Sequence, residues 1–257
     1  MNAALRAAAL AELEQKPEFK IIHTLVQQPD ANPKAVAEEI IKRTLSEVDN
    51  EEGSHYYDTA WSVVEVARRT APKHQEKLCD FVIALRQHSL KHPKTGEPLM
   101  DGGAKVWTEL PAFGYTFADR LQHISGLSKK TSKEAQEGEK LEVFAAKLTG
   151  YPRDRRVDFA YHGQLLISDA FYLENAQIPP GCIVPTARLG CWWLIYAATT
   201  LWSKVQDPED DDWSLGLWNI YKAGLRTTKA TIRNYEVRIL IDRAIAQMEM
   251  AEQGRDA

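Results

Sequence analysis

Two Asp-x-x-x-His pairs, Asp119/His123 and Asp158/His162, carry the residue types and spacing closest to chemistry in this chain. Four residues is about one helical turn, so each pair would share a helix face. A carboxylate beside an imidazole orients the ring and raises its basicity, which general acid–base catalysis requires. The same two donors can also share a metal ion. The settings of the two pairs differ. Phe117, Leu121 and Ile124 mark the apolar side of the first helix, and Asp119 falls about 200° away from Phe117 at ~100° per residue, so that pair is expected to face water. In the second helix Phe159, His162, Leu166 and Leu173 run along one side. His162 then sits at the edge of a buried stripe, with Asp158 one turn before it and Asp169 seven residues on. His162, Asp158 and Asp169 form the expected acid–base set. The competing reading is a satisfied histidine at the rim of a core.

The second candidate group is aromatic. Trp107, Tyr161, Trp192, Trp193, Tyr196 and Trp202 could wall a hydrophobic pocket for a flat apolar ligand. Equally, such side chains fill helical cores without binding anything. A four-ligand metal site built from both Asp/His pairs would need their two helices to face each other through those sides, which the orientation of the first pair opposes. No His-Glu-x-x-His pattern is present either, so no metal is expected. The acids Asp207 and Glu209 to Asp212 are nearly consecutive after a proline-broken start, and read as a solvated loop ahead of the next helix. There is no glycine-rich phosphate loop, G-x-S-x-G elbow or dinucleotide fingerprint, and no cofactor is expected.

Composition narrows the setting. A net charge of −4 argues against a nucleic-acid partner. The one basic knot, Arg153-Asp154-Arg155-Arg156, reads as a solvated helix start. Three cysteines (Cys79, Cys182 and Cys191) without a CxxC spacing suit a reducing compartment. Met1 to Gln15 includes Glu12 and Glu14 and lacks the character of a signal peptide or presequence, so a cytoplasmic location is expected.

These residues must be positioned by helices. Gly190 to Trp202 is apolar on every side, which predicts a helix enclosed by others. It is too short to cross a bilayer, which takes ~20 apolar residues, and no membrane partner is expected. Helical periodicity also covers 3–15, 33–48, a segment from Asp58, one after Pro72, Val106 to Leu127 with an interruption at Pro111, 139–149, 153–174, 185–205, 213–224 and 228–251. The stretches 49–54, 91–103, 128–139 and 206–212 read as loops. The expected fold is all-α: a single domain over 1–257 of about 8–10 helices, mostly antiparallel neighbours, around a buried Trp-rich central helix. A degenerate stack of helix pairs fits the same pattern.

Ala60-Trp61 with Val63-Val64, then Pro72, His74-Gln75, Leu78 and Leu85, then Val106 to Gly114, together resemble a fungal family of uncharacterised proteins, the domain of unknown function numbered three-six-three-two. The resemblance runs from about Trp61 to the C-terminal helix. Its most recognisable motif is the Trp-x-x-Leu-Pro turn, Trp107 to Pro111. In the family an Arg–acid pair follows that turn; here the matching positions hold Ala118-Asp119, with Arg120 next. Such genes often sit among fungal secondary-metabolite genes. The resemblance therefore implies an all-helical intracellular fungal protein and brings no catalytic residues. Two functional readings follow. One is a small-molecule enzyme or binder for an apolar metabolite, working without metal or nucleotide. The other is a helical interaction or scaffold protein with no activity. The oligomeric state is not legible.

Overall fold

The computed structural model describes residues 3–49, 55–122, 132–151, 157–172 and 182–254, and they are almost entirely helical. Within the stretch read from sequence as one domain, packing separates two compact units, 1–125 and 126–257.

The first unit holds α1 (Ala3–Leu13), α2 (Pro17–Gln27), α3 (Pro33–Glu47), α4 (His55–Arg69), α5 (Glu76–Arg86) and α6 (Pro111–Gln122). A 3-10 turn, Pro72–His74, precedes α5. Pro17 and Pro33 open their helices where a missing N–H costs nothing, and Asn32 caps α3 by accepting from the Lys34 N–H at 2.9 Å. α3 packs on α5, α2 on α4, and α4 on α6. Their common interior is Ile22, Leu25, Ile40, Val63, Val64, Phe81 and Phe117, all fully buried.

Three expectations need correction here. α2 was not foreseen, although Phe19, Ile22 and Leu25 give it a helical stripe; it brings the count to eleven α-helices among the described residues. Val106 to Leu110 is not helix: Pro111 occupies the first helical position instead of kinking a longer rod. Leu110, held in the left-handed region at φ 53°, turns the chain just ahead of that proline. The 91–103 loop ends in a hairpin of two-residue strands, β1 (Met100–Asp101) with β2 (Ala104–Lys105) just beyond it. Gly102 and Gly103 both have positive φ, as the tightest hairpin turn requires.

The second unit holds α7 (Ser132–Thr149), α8 (Ala160–Phe171), α9 (Ile183–Val205), α10 (Leu215–Thr231) and α11 (Tyr235–Glu252). α9 is the expected central helix: α7, α8 and α11 pack around it, and Cys191, Trp193, Leu194 and Leu201 have no exposed surface. α7 starts at Ser132, so most of the polar 128–139 stretch is helix and not loop. Its exposed positions, Lys133 and Glu134, explain the polarity. α8 is shorter than the expected 153–174. Val157–Phe159 is non-helical, and Thr149 Oγ1 accepts the Phe159 N–H at 3.1 Å. Arg153 to Arg156 lie outside the described residues. α10 runs on to Thr231, beyond the expected break, and Asn234 starts α11 by accepting from the Val237 N–H at 3.0 Å. Among the described residues no helix is long and apolar enough to cross a membrane. All three cysteines are free thiols, and burial pushes the Cys191 thiol up.

Candidate functional site

Three helices of the second unit bring a carboxylate, an imidazole and an indole together. α7 supplies Glu142 from inside the apolar run Leu141 to Ala146, so packing on both sides leaves its carboxylate no solvent. α8 supplies His162 and α9 supplies Trp193. Glu142 Oε2 accepts from Trp193 Nε1–H at 3.0 Å, and His162 Nε2 lies 3.0 and 3.1 Å from the two carboxylate oxygens. A buried carboxylate needs donors, so His162 presents Nε2–H to it. The neutral ring then keeps its lone pair on Nδ1. The His162 side chain is 25% exposed while Glu142 is not exposed at all, so the pair spans the boundary between core and solvent. The Trp193 ring stands edge-on to the imidazole with centroids 6.0 Å apart. Gly163 makes that approach possible, because a Cβ there would fall inside the indole.

The sequence pattern of the family described as Protein of unknown function (DUF3632) matches residues 61–237. The chain belongs to that family. No curated protein and no solved structure matches it. Glu142, His162 and Trp193 all fall within the matched residues. In this DUF3632 protein the arginine after the Trp107–Pro111 turn, Arg120, is buried against Glu65 at 3.8 Å and lies over the Trp61 ring at 5.3 Å.

The other expected site residues of this DUF3632 protein are dispersed. Asp158 was placed one helical turn before His162, but α8 begins only at Ala160, so the i,i+4 geometry does not hold. Asp158 instead caps α8, accepting from the Ala160 N–H at 2.9 Å, and its other oxygen lies 3.1 Å from Lys204 Nζ. Asp169 is surface-exposed on α8, and partial desolvation raises its carboxyl. Tyr161 is 63% exposed. Trp192 donates to Glu139 at 2.7 Å and stacks on Tyr196 at 5.8 Å. Thus α7 holds the neighbouring Trp192 and Trp193 through two acids three residues apart, Glu139 and Glu142. Trp202 packs against Trp218 at 5.4 Å. Trp107 belongs to the first unit. Asp119 is exposed, and His123 lies outside the described residues. The residue of this cluster missed from sequence was Glu142. Its signal was a lone acid inside an apolar run, the same signature that Glu65 carries between Val64 and Val66.

The first unit of this DUF3632 protein builds its own histidine cluster. His55 Nδ1 lies 2.8 Å from Glu18 Oε1 and 4.0 Å from Glu47 Oε2. Arg43 donates to both acids, to Glu18 at 3.0 Å and to Glu47 at 2.9 Å. Burial works against the Glu18 carboxylate. Hydrogen bonds from His55, from its own backbone and from Arg43 outweigh it, and bring its pKa from 4.5 to about 2. Glu18, Glu47 and His55 are the described residues whose ligand atoms converge closely enough to hold a metal ion.

Proposed function

We propose that the protein binds or converts a small apolar metabolite at the outer edge of α8, with His162 as the acid–base group. The observation that carries this reading is the Glu142–His162 pair. A buried carboxylate fixes the imidazole as the Nε2–H tautomer and leaves Nδ1 to take a proton. When Nδ1 is protonated, the imidazolium is stabilised through Nε2–H by the same carboxylate. Tyr161 and Leu165, both exposed and within one turn of His162, offer apolar contact to a ligand. Asp169 lies further along the same helix. The placement in fungal secondary metabolism and in the cytoplasm rests on the family resemblance and the free thiols. A panel of apolar metabolites should shift or quench tryptophan emission, because Trp193 touches both members of the pair. His162→Ala should abolish turnover of any responding compound in a folded protein. Unchanged turnover would remove His162 from the chemistry.

A helical interaction protein is the second reading, favoured by a different surface. Tyr235 and Ile239, one turn apart on α11, are 74% and 42% exposed. A stable complex lost in Tyr235→Ala, together with no fluorescence response to any metabolite, would favour it.

A further inference from the structure

Around His55 the side chains of three helices converge on one imidazole. Thr44 Oγ1 has one hydrogen, which it donates to the Ile40 carbonyl at 2.9 Å. It accepts from Trp107 Nε1–H at 3.2 Å. Its third neighbour is His55 Nε2 at 3.0 Å. The hydroxyl therefore holds the Nε2 side of the ring. The remaining ring nitrogen, Nδ1, then faces only acceptors: Glu18 Oε1 at 2.8 Å and Glu47 Oε2 at 4.0 Å. A proton on Nδ1, in the neutral or the charged ring, bridges it to the Glu18 carboxylate.

We infer that the Glu18–Glu47–His55 cluster is a binding site for a divalent transition-metal ion of the zinc class, which replaces the Nδ1 proton. The three ligand atoms lie within 4.8 Å of one another and come from three helices, α2, α3 and α4. One imidazole with two carboxylates suits a borderline cation. Calcium and magnesium prefer an all-oxygen shell. A metal-bound histidine is normally held through its other nitrogen, and Thr44 does that here. Arg43 orients both carboxylates while engaging Glu47 through Oε1, which leaves Oε2 turned to His55. The ion has a way in, since the Arg43 and Glu47 side chains are 30% and 35% exposed while Glu18 and His55 are buried. Arg43 keeps its own positive charge beside the ion, so the site is expected to be selective for strongly imidazole-binding ions.

The test is titration of the full chain with Zn2+ by calorimetry in two buffers of different ionisation enthalpy, and with Co2+ by visible absorption. One ion per chain is expected, with release of about one proton on binding. His55→Ala should abolish binding. Because that change also removes a buried partner of Glu18, Glu47→Gln at the more exposed rim provides the second arm. It should weaken binding at least tenfold while circular dichroism stays unchanged. His162→Ala should bind as the parent does. No binding at millimolar Zn2+ would mean that the cluster holds a proton only, and would overturn the inference. Binding unchanged in both cluster variants would place the ion on surface histidines, and would overturn it as well.

Discussion

His55 and His162 are both held by a buried glutamate and an indole, yet the two arrangements run in opposite directions. At His162 the indole of Trp193 donates to the carboxylate itself, so Glu142 receives two donors and draws Nε2–H toward it. The second ring nitrogen is left for a ligand at a partly exposed side chain. At His55 the indole of Trp107 donates to a hydroxyl, Thr44, which holds the Nε2 side of the ring away from the acids. The nitrogen that faces Glu18 carries a proton or, in our inference, a metal ion. The two tryptophan N–H groups thus take different partners, Trp193 the acid itself and Trp107 the hydroxyl on the far side of the imidazole. The two clusters also differ in place. Glu142, His162 and Trp193 lie within the family's matched residues, whereas Glu18, Arg43, Glu47 and His55 precede them.

The largest expected effect lies in acid. Glu18 has its pKa lowered from 4.5 to about 2 in the fold. A depressed carboxylate stabilises the folded state fully above its unfolded value, and that contribution disappears as pH falls from about 4.5 toward 2. In metal-free protein it amounts to on the order of 3 kcal/mol, with His55, Arg43 and Glu47 as the charged groups facing it. Urea unfolding across this range should show the slope in the parent chain and a flattened one in Glu18→Gln. His55→Ala should cost a similar amount at pH 7, because it leaves the buried Glu18 with Arg43 and a backbone N–H. A parent-like acid limb in Glu18→Gln would mean that the cluster is not an ionised one, and the contrast with His162 would fail.

Gly163→Ala should come next. The added methyl would collide with the buried Trp193 indole, a rigid neighbour that cannot swing away as a flexible chain end can. Overpacking of this kind costs about 1–3 kcal/mol. It also moves the donor to Glu142 without touching a polar atom of the pair. The thermal midpoint should fall, and tryptophan emission should shift with it. An unchanged emission maximum would show that Trp193 does not depend on that gap, and that the pair is held by Glu142 and His162 alone.

Much of this was legible before the fold. The enclosed helix near Trp193 follows from a run with no polar side, and His162 stood out at the edge of an apolar stripe. What misled was the rule that residues four apart on a helix meet. Asp158 lies before the first turn of α8, where that rule has no force, and Thr149 and Lys204 help to hold this entry segment instead. Glu142 is twenty residues upstream on another helix, visible only as an acid set among apolar neighbours. The His55 cluster had no such trace. Glu18 lies 37 residues before His55 in the chain, and the two meet through the packing of α2 on α4, which periodicity cannot supply. The aromatic residues were readable as large side chains, but not as belonging to two units, because a tryptophan's type says nothing of which interior it enters.

The smallest effect separates the two indoles directly. Trp193→Phe and Trp107→Phe remove an N–H from fully buried rings of the same size, so the loss of packing volume is comparable. The polar consequences differ. Without Trp193 the buried Glu142 carboxylate keeps His162 as its one donor among the described residues, and a charged group left short costs about 2 kcal/mol. Without Trp107 the Thr44 hydroxyl merely loses one of its neighbours and keeps its hydrogen bond with His55 Nε2, at about 1 kcal/mol. Trp193→Phe is therefore expected to be the more destabilising by about 1 kcal/mol in paired urea unfolding at pH 7. It should also reduce any turnover that depends on His162, while Trp107→Phe leaves that turnover intact. Equal destabilisation with equal turnover would mean that the partner of the indole N–H does not set the role of the histidine beside it.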